Sequence, residues 1–155
     1  MLERAAEVRT WPGAFPFRYR YTAGVAGSRF LEALRDRGAF LGSRCEACGY
    51  TYVPARLFCE RCFADLSAAE VEVGPGGVLE SFTVTYVDHE RDPLDTPVVY
   101  GLVRLDGADA VLLHRVLEAE ETALEVGMRV EAVLEPPERR RGSILDVAGF
   151  RPVEG

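Results

Sequence analysis

Three observations predict a mainly β chain with one N-terminal helix, built as a four-cysteine ribbon followed by a small barrel. All four cysteines of the 155 residues fall into two Cys-x-x-Cys turns, Cys45–Cys48 and Cys59–Cys62, with ten residues between them. After Gly77, five segments of strand length carry β-branched and aromatic residues separated by turn signals. One short apolar stripe, Phe30, Leu31, Ala33 and Leu34, precedes the cysteines. At 48% hydrophobic and 28% charged residues the composition is globular and too apolar for a disordered tail. The length suits one domain of common size or two small modules sharing a surface.

Each element has its own justification. Up to residue 27, Trp11, Pro12, Gly13, Pro16, Gly24 and Gly27 argue against regular helix. Among them, Phe15, Phe17, Tyr19 and Tyr21 alternate with Pro16, Arg18 and Arg20, which puts aromatics on one side of an extended arm and Arg on the other. Such an arm either folds back on its own domain or docks on another subunit, where aromatics and Arg are favoured. Ser28 is placed to cap a helix that Gly38 ends, with Arg35 and Arg37 in its last turn. The strands are expected at Val78–Val87, Val98–Leu105, Ala110–Leu117, Met128–Leu134 and Ile144–Phe150. Asp106-Gly107 forms a hairpin-type turn, and the acidic stretch Glu118–Glu125 a short helical turn. Five strands with a break between the third and fourth have the count and rhythm of an OB-type barrel, although five strands also fit other barrels. The organisation expected is an arm and helix over 1–44, a zinc ribbon over 45–70 and an OB-fold barrel over 71–155.

Two Cys-x-x-Cys turns facing each other across a hairpin supply four thiolates at tetrahedral geometry, the donor set of a closed structural zinc site. The ligands are therefore Cys45, Cys48, Cys59 and Cys62, with zinc as a structural cofactor. Gly49 follows the first pair, where the turn around the metal needs positive φ; the second pair has Phe63 there. Iron is the main competitor, because Cys-Glu-Ala-Cys-Gly-Tyr looks like a rubredoxin half-site, but the second half does not match. A disulfide pair suits an exported chain, and a catalytic thiolate needs a free sulfur beside a base. A closed site has no open coordination position, so the metal holds the fold and does no chemistry.

The remaining residues offer no catalytic set. His114 alternates along a strand with Leu112 and Val116, and His89 sits in the acidic loop Asp88–Asp92 near Asp95. That loop could hold acid–base groups or a second metal, but a solvated connection explains it equally well. No nucleophile elbow, phosphate-cradling loop or nucleotide fingerprint is present. A nucleic-acid-binding zinc-ribbon and OB protein is the alternative reading, and charge opposes it. The net charge is −7, and residues 77–155 carry eight Arg against 16 acidic residues, whereas residues 1–44 carry eight Arg against four. Phosphate contacts dominate nucleic-acid affinity, and a negative face repels them. The apolar runs are far shorter than a membrane span, and the first residues lack the apolar centre of an export signal, so a cytoplasmic location is expected.

The order of motifs carries a resemblance. Thr22-Ala-Gly-Val-Ala-Gly-Ser-Arg-Phe-Leu31 precedes GSRCEACGYTYVPARLFCERCF, followed by GGVLESFTV, VVYGLVRLDG and LEVGMRVEAVLEP. Over nearly all of residues 18–151 this is similar to the zinc-ribbon plus OB-fold proteins called domain of unknown function 35. The resemblance implies N-terminal helices, a rubredoxin-like ribbon and an OB barrel. It also implies a non-catalytic partner of acyl-CoA enzymes of the thiolase superfamily, including thiolases and the thiolase-fold aldolases that shorten steroid side chains. In that role the chain helps to form or cover the acyl-CoA site and stabilises a hetero-oligomer. Trp11, Phe15, Phe17, Tyr19 and Tyr21 are the expected partner contacts.

Overall fold

A computed structural model of the chain describes Gly13 and residues 18–118 and 121–153. Its elements, in chain order, are helix α1 (Gly24–Arg37) and strands β1 (Phe40–Arg44), β2 (Thr51–Tyr52), β3 (Glu70–Val73), β4 (Gly76–Val87), β5 (Pro93–Leu105), β6 (Val111–Val116), β7 (Arg129–Leu134) and β8 (Val147–Pro152). Strands β2-β1-β3 form a three-stranded antiparallel sheet, and β4-β5-β6-β8-β7 close into a barrel. Within the barrel only β6 and β8 run parallel, registered at the single pair Val116–Phe150. The expected class is what is seen: mainly β, with one N-terminal helix and a four-cysteine ribbon ahead of a five-stranded barrel.

Helix α1 begins five residues earlier than the Ser28 cap predicts. Its N-cap is Ala23, and no side chain caps it. The sequence marks Gly24 and Gly27 as breakers, but Gly24 takes φ 69°, which glycine adopts without strain, Gly27 costs only about 1 kcal/mol in a helix, and the first turn packs Ala26 against the core. Gly38 does end the helix. At φ 67° it takes the left-handed conformation, and its N–H turns back to the carbonyls of Ala33 and Leu34. The buried stripe is Phe30, Ala33 and Leu34, the i, i+3, i+4 face expected of an amphipathic helix.

One core joins the helix, the small sheet and the barrel, and a second, smaller cluster of Cys45, Tyr52, Cys59 and Leu66 sits at the cysteines. Phe30, Ala33 and Leu34 of the helix join Phe40, Leu41 and Val73 of the small sheet. These in turn join Leu79, Val103, Leu105, Val130 and Phe150 of the barrel. Phe40 is the hub, with ring centroids 6.5 Å from Phe30 and 6.3 Å from Phe150. At the surface, Arg29 and Arg37 of the helix pair with Glu70 and Glu72 of β3 at 2.9 and 2.8 Å. Both pairs are exposed and orient the helix more than they stabilise it.

The last strand starts later than expected. Ile144–Asp146 is a 3-10 turn, and β8 begins at Val147. Asp146 is the reason. Its buried carboxylate accepts the backbone N–H groups of Arg141, Gly142 and Ser143 at 2.8–3.1 Å. Burial alone would push this carboxyl up, but the N–H donors more than offset it and hold Asp146 below the usual carboxylate range. The loop between β7 and β8 is thus tied down at the rim of the barrel. Among the described residues, no helix is long and apolar enough to cross a membrane.

Candidate metal centre

The ribbon places two equivalent turns opposite each other. In the first, the Gly49 N–H donates to the Cys45 carbonyl (2.7 Å) and the Cys45 N–H to the Tyr50 carbonyl (2.8 Å). In the second, Phe63 donates to Cys59 and Cys59 to Ala64, both at 2.9 Å. This geometry brings the four sulfurs within 4.8 Å of one another. Cys45 and Cys62 Sγ are 3.5 Å apart, Cys48 and Cys59 Sγ 3.6 Å. A tetrahedron with metal–sulfur bonds of about 2.3 Å has edges of about 3.8 Å, so the donor set fits a closed four-thiolate site. Disulfide bonds are excluded at these separations, since a bonded pair lies at about 2.05 Å.

The turns need positive φ at the residue after each second cysteine, and the structure supplies it in two ways. Gly49 has φ 75° and Phe63 has φ 60°. A non-glycine residue there costs about 1–2 kcal/mol, and the Phe63 ring is 81% exposed, so little packing offsets the strain. Phe63→Gly is therefore expected to stabilise the protein by about 0.5–1 kcal/mol, after the larger unfolded-state entropy of glycine is counted. Gly49→Ala, with open space around its Cβ, is expected to cost about 1 kcal/mol. Denaturant melts of both variants check the sign. A loss of stability in Phe63→Gly would mean that the exposed ring contributes to folding.

Tyr52 is the residue at this site that motif reading missed. It is buried, and its hydroxyl lies 3.3 Å from Cys59 Sγ while accepting the Glu60 N–H at 3.1 Å. With that N–H already aimed at the oxygen, the phenol proton points to the sulfur and favours the thiolate. Cys59 is accordingly lowered to about 6, chiefly by Tyr52, and Tyr52 is pushed up to about 12, chiefly by Cys59. The only sequence signal was the TYV run between the cysteine pairs, which reads as an ordinary strand. The Tyr50 ring lies tilted by 50° against Tyr52 at 4.7 Å and carries the Arg61 guanidinium at 5.1 Å.

The strand between the cysteine pairs is also bonded to the barrel. Thr51 N–H donates to the Asp109 carboxylate (2.8 Å), and its carbonyl accepts the N–H groups of Asp109 and Ala110. The sulfur cluster is thereby linked to the turn joining β5 and β6.

Neither histidine joins the cysteines. His89 is exposed, 3.9 Å from Glu90, in a turn where the Asp88 carboxylate accepts the N–H groups of Glu90 and Asp92. The same turn brings carboxylate oxygens of Asp88, Glu90 and Asp92 within 4.8 Å of one another, and His89 is not among them. His114 is half-buried on β6, with Nδ1 accepting the Arg115 N–H at 2.9 Å and its ring against the edge of Phe150. Burial holds its imidazole below the usual histidine range. Of the five arm aromatics, Trp11, Phe15 and Phe17 lie outside the described residues. Tyr19 and Tyr21 are exposed and stack at 6.1 Å.

A four-cysteine ribbon whose sheet shares its core with a five-stranded OB barrel defines the class of protein. The chain matches two family models in that order: the rubredoxin-like zinc ribbon domain of ChsH2 over residues 33–67, and the C-terminal OB-fold domain of ChsH2 over residues 70–135. It belongs to the DUF35 family of zinc-ribbon plus OB-fold proteins. A DUF35 domain-containing scaffold protein of Methanocaldococcus jannaschii is 24% identical over 128 residues, covering 81% of this chain and 90% of that protein. A scaffold protein of the same description from Methanothermobacter thermautotrophicus is 25% identical over 105 residues, covering 68% and 78%. Among solved structures, a DUF35 protein of unknown function from Sulfolobus solfataricus superimposes with a TM-score of 0.62 at 27% identity, covering 83% of this chain and 84% of the other. A chain of the Ltp2-ChsH2(DUF35) aldolase superimposes at 0.58, with 23% identity, covering 81% and 93%, and shares the fold.

Proposed function

We propose that this chain is a non-catalytic accessory subunit of a thiolase-superfamily acyl-CoA enzyme, of the kind that acts on lipid- or steroid-type acyl-CoA. It holds a structural zinc at Cys45, Cys48, Cys59 and Cys62, helps to form or cover the acyl-CoA site, and stabilises the complex from a cytoplasmic location. The observation that carries this reading is the fate of the reactive groups. The four thiols lie together as one donor set suited to a metal, while His89 stands in solvent and His114 spends Nδ1 on a backbone N–H, so no nucleophile–base pair is assembled among the described residues. The relatives described as scaffold proteins and the structural neighbour from a two-protein aldolase support the accessory role and its kind of partner. The exposed Tyr19 and Tyr21, with the rest of the aromatic arm, are proposed as partner contacts.

The ion pairs of the barrel weigh against the nucleic-acid reading. Arg104, Arg129 and Arg151 are engaged by Glu80, Asp106 and Glu131, so these strand cations are already neutralised. Phosphate binding would need them free.

The test is co-purification with a tagged chain, followed by acyl-CoA assays of the isolated chain and of the complex. A thiolase-fold protein is expected in stoichiometric amount, with turnover by the complex and none by the chain alone. His89→Ala is expected to leave the turnover of the complex within an order of magnitude. Robust turnover by the isolated chain, lost in that variant, would reverse the assignment.

A further inference from the structure

Two grooves lie side by side on the outer face of the barrel, and they share residues. One, of about 570 Å³, is bordered by Leu113, Ile144 and Leu145 together with Tyr100 and Arg115. The other, of about 460 Å³, continues from Tyr100 and Arg115 toward the β4–β5 loop, with Val87 and Leu94 on its walls. Cross-strand register explains the shared wall, because Tyr100 faces Arg115 and Leu102 faces Leu113 across β5 and β6. The face is apolar and open. Leu113 is 62% and Leu145 75% exposed, with Leu102 and Ile144 also exposed beside them. The loop carrying Ile144 and Leu145 is fixed by Asp146 and its three backbone N–H donors.

Charge singles out the centre of this face. The other arginines on the barrel strands, Arg104, Arg129 and Arg151, each meet a carboxylate. Arg115 makes no ion pair among the described residues, in a barrel segment with twice as many acidic residues as Arg. Glu135 borders the first groove and Asp88 the second, but both stay beyond ion-pair distance of Arg115. We infer that this face, centred on Leu113 and Arg115, is the docking surface for the enzyme subunit that the accessory role requires, and that Arg115 receives a carboxylate of that subunit amid apolar contacts. The inference rests on the proposed function and adds the surface to it. Protruding leucines on an open groove suit a macromolecular surface, since a small ligand needs a cavity that encloses most of it. One arginine lining the two grooves is too little for nucleic acid. A second copy, docked symmetrically, would bring a second Arg115 to the same centre and oppose itself by like charge.

The test uses the full chain and the thiolase-fold protein that co-purifies with it, produced recombinantly, with binding read by calorimetry. Leu113→Glu and Arg115→Glu are each expected to weaken binding at least tenfold, Arg115→Lys less. Val126→Glu, at an exposed apolar position in the turn before β7, is expected to change nothing. All three positions are exposed, and unchanged melting temperature and metal content establish that the four variants are folded. Wild-type affinity in both Leu113→Glu and Arg115→Glu overturns this surface and leaves the accessory role standing. Absence of any thiolase-fold partner for the wild-type chain overturns the role and the surface together. A wild-type dimer in light scattering that Leu113→Glu dissociates assigns the face to a second copy instead.

Discussion

Cys59→Ser is expected to empty the metal site and loosen the ribbon, with the largest effect of any single exposed or buried polar change in the chain. Structural zinc in a four-thiolate site contributes about 10–16 kcal/mol of binding free energy near neutral pH, and that energy belongs to folding because the site does not exist in the unfolded chain. Cys59 is fully buried and partnered by the Tyr52 hydroxyl, so serine also leaves the phenol facing a weaker acceptor. Cys48→Ser should release metal as well, but this sulfur is exposed and its loss leaves the packing of Tyr52 and Leu66 intact. Metal analysis is expected to give about one zinc per wild-type chain and close to none in either variant. Hydrogen exchange should rise over residues 45–66 and, through the Thr51–Asp109 bonds, at the β5–β6 turn. Full zinc occupancy in both variants would refute the four-thiolate site. Slow exchange retained at residues 106–110 would show that the barrel does not sense the metal.

The parts of this protein that were legible in its sequence are those where local chemistry decides. Cysteine spacing forces the two turns, Gly38 has the one conformation that ends the helix cheaply, and alternating residues mark the five barrel strands. The parts that were not legible depend on tertiary contacts. The helix reaches back to Gly24 because Ala26 finds the core, which outweighs the propensity cost of Gly27, while Gly24 itself takes a left-handed conformation that suits glycine. Ile144–Asp146 reads as the start of a strand by its apolar pattern. It becomes a 3-10 turn because a buried carboxylate collects three backbone donors, an arrangement invisible to periodicity. Tyr52 could not be distinguished from any strand tyrosine until the chain placed its hydroxyl beside a cysteine sulfur. Arg115 belongs with these. Its significance is that neighbouring strand arginines have ion-pair partners and it has none among the described residues, a fact of three-dimensional pairing.

Phe40→Ala is expected to cost about 3–5 kcal/mol, the range for removing a buried phenylalanine and leaving a cavity. The ring is 1% exposed and stands between Phe30 of the helix and Phe150 of the barrel, so three elements lose contacts at once. Neighbours cannot easily close the space. β1 is the central strand of the small sheet, held on both sides by β2 and β3, and Phe150 is fixed by barrel pairing. For a chain of this size the loss corresponds to a melting temperature lower by roughly 10 °C. Its form is as informative as its size. Because one apolar cluster spans helix, ribbon sheet and barrel, the wild-type protein should melt in a single transition, with metal release and loss of β-structure coinciding. The cavity at Phe40 removes the contact that couples them, so the variant should release metal before the barrel unfolds. Leu145→Ala, at a position 75% exposed, should stay within about 0.5 kcal/mol of wild type. Thermal melts followed by circular dichroism and by a zinc-sensitive dye test both expectations. A Phe40→Ala protein that melts within a few degrees of wild type, with the two signals still coincident, would show that the ribbon and barrel are joined by their backbone bonds and not by this ring.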